Sequence, residues 1–243
     1  MMKIRLAWII LIIAGVGNQP YAQSIAGKTL LTIQIEPMVG EKNWIAGETY
    51  TNALGESFSI DKCLFYLSNL EWQSTSGKWN SIPNSYYLVN IADSSSLQIQ
   101  LPLQNQSIKR IRFIIGVDSA KNVSGIQQGV LDPARGMFWT WNTGYVMAKL
   151  EGVSDVSTMP GKKFTYHIGG YAGEQNVTKR VELVIDNNAI NQQKLFIQAD
   201  LLKWFNGEIP VSIATNPICH VPGKLAKQIA NNYQLQFRIK QPK

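Results

Sequence analysis

Between Met137 and Leu150 the chain is apolar on both faces of a two-residue repeat. One face carries Met137, Trp139, Trp141, Thr143, Tyr145 and Met147; the other carries Phe138, Thr140, Asn142, Val146, Ala148 and Leu150. Successive side chains of a strand point to opposite faces. A strand with no wettable face needs a layer packed on each side, so this run predicts a central strand in a layered core. It follows a turn-rich loop, Gly116 to Gly136, that holds four glycines, a proline and the aspartates Asp118 and Asp132. Both carboxylates are expected to satisfy backbone donors in turns, since Asp before proline starts one.

The rest of the chain repeats the strand pattern with one face polar. Lys109 to Val117 sets Ile111, Phe113, Ile115 and Val117 against Arg110, Arg112 and Ile114. Phe58 to Gln73 is a long β-rich run. Leu30–Ile35 (ended by Pro37), Tyr86–Ile91, Leu97–Leu101, Lys163–Ile168, Arg180–Ile185, Lys194–Leu202 and Tyr233–Ile239 read as further strands, and Val39 to Ser57 as a long loop. Helical spacing occurs once, from about Gly223 to Asn232, with Leu225, Ala226 and Ile229 on one side. Nine or ten strands with turns between them and one short C-terminal helix predict an all-β, antiparallel β-sandwich. No linker-like composition interrupts residues 23–243, which form one expected domain.

Residues 1–22 read as a secretory signal. Lys3 and Arg5 form its basic start, Leu6 to Val16 its apolar centre, and Ala22 precedes the expected cut. The apolar centre is too short for a membrane span, and the expected address is periplasmic or secreted. The net charge is +7, but the bases are scattered and form no nucleic-acid footprint. In an exported chain the two cysteines, Cys63 and Cys219, predict one disulfide, contributing about 4–5 kcal/mol on the chain-entropy model. The alternative is that Cys219, beside His220, is a free thiolate ligand.

The runs Tyr66-Leu67-Ser68-Asn69, GVDSAKNVSGIQQGVLDPARGMFWTWNTGYVMAKLEG and His167-Ile168-Gly169-Gly170 resemble the MbnP-like family of exported bacterial proteins. That family is named for copper-binding members associated with methanobactin. The resemblance extends from about Leu31 to Phe237. It implies a metal-ligand role for His167. In copper-binding relatives a histidine there works with a separate tryptophan-x-histidine pair, whose tryptophan is converted to kynurenine by a partner di-heme enzyme. This chain departs from the pattern: by spacing ahead of Val39-Gly40, the pair falls on Ile35 and Pro37, neither of which binds copper. The remaining set for copper is His167 with Met38, His220 and Cys219, imidazole with thioether or thiolate being suited to Cu(I). Trp139 and Trp141 are expected to line and shield the site.

No nucleophile elbow and no HExxH pair occurs, so the expected role is holding or delivering metal without catalysis. The competing reading is a metal-free cell-surface module for a glycan or protein partner, with Trp44, Trp72 and Trp79 as stacking platforms.

Overall fold

The computed structural model describes residues 29–103, 107–140, 144–186 and 188–241. Residues 1–22, expected to be a secretory signal, lie outside the described residues, as does Trp141. Two sheets pack face to face around one core. The smaller joins β1 (Thr29–Val39), β2 (Lys42–Asn43), β7 (Gln98–Leu103), β13 (Ile190–Asn191), β14 (Lys194–Asp200) and β16 (Phe237–Ile239). The larger joins β3 (Tyr50–Thr51), β4 (Ser57–Ser74), β5 (Trp79–Ser81), β6 (Tyr86–Asn90), β8 (Ile108–Ile115), β9 (Phe138–Trp139), β10 (Gly144–Val153), β11 (Lys163–Gly169), β12 (Lys179–Val184) and β15 (Ile218–Cys219). Its main order is β12-β8-β4-β10-β11-β15. Pairing is antiparallel except between β1 and β14 and between β11 and β15. The chain is thus the expected sandwich with a short C-terminal helix.

The 18-residue β4 organises the larger sheet. Its first half pairs with β10 and its second with β8. Across the core, Phe237 of the smaller sheet meets Phe65 of β4 and Phe113 of β8 edge-on, at 5.7 and 5.1 Å between ring centres. Such contacts join the two inner faces as sheet-on-sheet packing requires. A one-turn helix α1 (Ser119–Val123) is capped by Asp118, whose carboxylate accepts Lys121 N–H at 3.1 Å. Asp132 accepts Ala134 N–H at 2.8 Å. Both aspartates therefore have the structural role expected of them. Helix α2 (Lys224–Tyr233) buries Ala226, Ile229, Ala230 and Tyr233. No helix of the described residues is long and apolar enough to cross a membrane.

Several expected elements differ. The run Met137 to Leu150 is not one strand: β9 folds back on β10, pairing Trp139 with Gly144 and Phe138 with Tyr145. Buried Asn122 holds this reversal, accepting Tyr145 N–H at 3.0 Å and donating to Val117 O at 2.8 Å. β1 does not stop at Pro37, which lies opposite Ala199. Proline removes a donor only, and its carbonyl still accepts Trp44 N–H at 2.9 Å. The stretch Val39–Ser57 carries the short strands β2 and β3 as well as loop. The last strand is confined to Phe237–Ile239, because Gln234–Gln236 prolong the helix as a 3₁₀ turn.

Candidate metal centre

In β11, Phe164, Tyr166 and Ile168 are fully buried, so Thr165 and His167 face away from the core. The same alternation in β10 buries Ala148 and Leu150 and turns Lys149 and Glu151 outward. Register then sets Lys149 opposite His167 and Glu151 opposite Thr165, with Lys62 of β4 opposite Glu151. The parallel pairing of β15 with β11 places Cys219 beside Tyr166. His220, one residue on, falls on the outer face. The chain's two histidines consequently stack, with ring centres 4.3 Å apart and planes inclined by 22°.

Each ring is held by one nitrogen. His167 Nε2 lies 2.7 Å from Glu151 Oε1, and His220 Nε2 lies 2.7 Å from Thr165 Oγ1. An ionised carboxylate only accepts, so His167 carries its proton on Nε2 and its lone pair on Nδ1. Glu151 is also 3.3 Å from Lys62 Nζ and 4.0 Å from Lys149 Nζ. Burial works to raise the Glu151 pKa, but the His167 bond and the Lys62 charge outweigh it and hold it low. Burial pushes the His167 pKa down to about 4, against the opposing pull of Glu151. Burial lowers His220 as well. Both imidazoles are therefore neutral near pH 7, the form that binds metals.

The glycines after His167 serve the protein's own packing. A Cβ on Gly169 would stand 2.4 Å from the Trp139 ring, and one on Gly170 would stand 2.2 Å from Gln175 O. Gly169 shares the outer face with His167, so Trp139 covers the sheet beside the pair.

Two of the four expected ligands do not join the site. Met38 is buried in β1, between Asn43 and Asp200 of neighbouring strands. It belongs to the smaller sheet, and the stacked sheets alone are about 10 Å apart. Ile35 lies in the core and Pro37 in the same strand, so the tryptophan-x-histidine positions are also across the molecule. Cys219 is 4% exposed and points inward beside Tyr166, and burial raises its thiol to about 11. It is neither a thiolate nor on the histidine face. The expected disulfide is absent: Cys63 and Cys219 are both free and buried. Cys63 pairs with Leu150, Leu150 with Tyr166, and Tyr166 with Cys219. Three strand steps separate them by about 14 Å, twice the span a disulfide bridges.

Sequence reasoning missed Glu151, Thr165, Lys149 and Lys62. The polar alternation of Lys149 and Glu151 within an apolar run was the available signal. Among the described residues no group of three or more His, Cys, Asp or Glu is arranged to hold a metal ion. The tryptophan platforms fare unevenly. Trp72 is buried at 6% exposure, Trp79 is covered by the Arg112 guanidinium at 3.7 Å, and Trp44 packs against the core.

A family model described as MbnP matches residues 28–221. Among solved structures, MbnP from Methylosinus trichosporium is similar at a TM-score of 0.56 and 13% identity, over 82% of this chain and 83% of that one. At that identity the likeness shows a shared fold. No curated protein matches the chain.

Proposed function

This chain belongs to the MbnP family, and from that premise we propose that it is exported and holds copper at His167 and His220 without catalysing a reaction. The observation that carries the reading is the meeting of the chain's two histidines, ring against ring, on one outward face. Metal-binding histidines typically have the second ring nitrogen fixed by a carboxylate or another oxygen. Glu151 supplies that partner for His167 and Thr165 for His220, and Nδ1 of His167 is left as a donor. Copper here is cargo. Two imidazoles are fewer than the four donors of a closed structural site, which favours ready transfer over storage.

The kynurenine-bearing partner of the relatives has no counterpart at Ile35 or Pro37. Copper binding by this chain accordingly requires no modification by a di-heme enzyme at those positions. The basic and apolar start, residues 1–22, carries the chain to the periplasm or beyond.

The test is competition for Cu(I) between the mature protein and a chromophoric chelator, beside His167→Ala and His220→Ala. Uptake near one equivalent, lost in either variant, is the expected result. Uptake equal in wild type and the double variant would overturn the reading.

A further inference from the structure

The outer face of the larger sheet carries a second feature, a depression of about 310 Å³ where β4, β8 and β12 run side by side and residues 81–84 form a wall. Its polar lining includes Asn69, Glu71, Asn84, Arg112 and Arg180, and Ile114 is the apolar floor. The register accounts for the convergence: Ile114 lies opposite Ser68 on β4 and Arg180 on β12, while Arg112 lies opposite Glu71 and Glu182. The pairing shifts between Ser68 and Glu71, and Asn69 within the shift has a φ of +53° and lies at the rim. This is the last residue of the Tyr66-Leu67-Ser68-Asn69 run, which the copper site does not use.

Arg112 is fixed before any ligand arrives. Its Nε donates to Glu71 Oε2 at 2.5 Å and its guanidinium lies over Trp79 at 3.7 Å. Among the described residues this Nε bond is the single hydrogen bond of its side chain, so its terminal N–H groups remain available. Glu182 is engaged by Arg110 at 2.6 Å. Arg180 is exposed and makes no ion pair or side-chain hydrogen bond among the described residues. Two guanidinium groups therefore face one carboxylate within the depression, an excess of one positive charge. Guanidinium forks match carboxylates in a bidentate manner. The Asn84 amide flanks them, as does that of Asn69, whose Nδ2 donates to Asp118 Oδ2 at 3.4 Å and whose oxygen remains to accept; both suit hydroxyl groups. The volume is at the small end of ligand sites, enough for one sugar ring.

We propose that this depression binds a hydroxylated carboxylate of the sugar-acid class, with Arg180 and Arg112 on the carboxylate and Asn69 and Asn84 on ring hydroxyls. The site is independent of the histidine pair and stands whether or not copper binds. It also accounts for the way Trp79 is used. The ring supports an arginine and is not an open stacking surface.

The test follows Arg and Asn side-chain N–H resonances while D-glucuronate, D-glucose or inorganic phosphate is added to the mature chain. Glucuronate should produce saturable shifts at Arg112 and Asn84, with His167 and His220 unmoved. Glucose should produce none, and phosphate should bind more weakly than glucuronate. Arg180→Gln removes an unpartnered surface group and should weaken glucuronate about tenfold or more. Asn84→Gly keeps the positive φ of +51° and should weaken it several-fold. Lack of saturation at about 50 mM glucuronate, equal binding of glucose, phosphate binding as tight as glucuronate, or an unaffected Arg180→Gln would each overturn the proposal.

Discussion

Replacing Glu56 by glutamine alters one atom and one charge, yet the structure predicts a large loss of stability. Glu56 is 8% exposed, and its carboxylate closes the loop that leads into β15 and His220. Oε1 accepts from Ser212 Oγ at 2.7 Å and Ala214 N at 3.1 Å; Oε2 accepts from Asn52 Nδ2 at 2.7 Å and Ile213 N at 2.8 Å. A glutamine amide must put its NH₂ in place of one oxygen, facing two donors. At Oε2 the escape is closed, because flipping Asn52 would forfeit its bonds from Leu54 N and Glu56 N. At Oε1 the Ser212 hydroxyl can reverse, but Ala214 N–H is left bare. One orphaned donor and the loss of charge assistance in the remaining bonds cost about 2–4 kcal/mol together. For a chain of this size that lowers Tm by about 5–15 °C. Scanning calorimetry of wild type and Glu56→Gln at pH 7 measures it. Burial works to raise the Glu56 pKa, but the bonds from Ile213, Asn52, Ser212 and Ala214 outweigh it and hold it below 4.5. A lowered folded pKa means the stabilisation is present above the unfolded value and is lost as pH falls through the folded one. The gap between the two proteins should therefore narrow below about pH 4.5. A Tm within about 2 °C of wild type at pH 7, or a gap unchanged at low pH, would refute the reasoning.

Two further outcomes follow from the same contacts. Gly169→Ala sets a methyl 2.4 Å from Trp139, so the ring must leave the sheet; a cost of about 1–3 kcal/mol and a shift in tryptophan emission are expected, and unchanged emission counts against the packing described. In copper-free protein, His167 should titrate near 4 by NMR, against an ordinary value of about 6.5. Its folded pKa is the lower one, so stability is full above about 6.5 and falls by up to about 3 kcal/mol as pH drops toward 4. A His167 midpoint near 6.5 would show that the ring is open to water.

How far a sequence reveals such a site depends on which physical rule places each residue. The strand β8 was legible because its two faces differ in kind, Arg110 and Arg112 against Ile111, Phe113 and Ile115. The run from Met137 was not, because both arms of the hairpin are apolar and alternation cannot register a reversal. The Asn-Thr-Gly composition of residues 142–144 favours a turn, but the apolar alternation on either side of it hides that signal. The outward face of His167 is legible from alternation alone, since it falls opposite Phe164, Tyr166 and Ile168 in the run Lys163–Ile168. Its partnership with His220 rests on β15, two residues long and paired in parallel, which no local propensity announces. The cysteine shows the reverse error. Cys219 beside His220 reads as a ready pair of ligands, and Cys63 with Cys219 reads as a ready disulfide. Yet neighbours along a strand point to opposite faces, so the residue adjacent to a ligand histidine in sequence is the one least able to share its metal. Partners for an outward imidazole come from across a ladder, Glu151 of β10 for His167 and Thr165 of β11 for His220. Once β15 and the β10–β11 register are in place, that rule sets Cys219 aside and brings Glu151 forward.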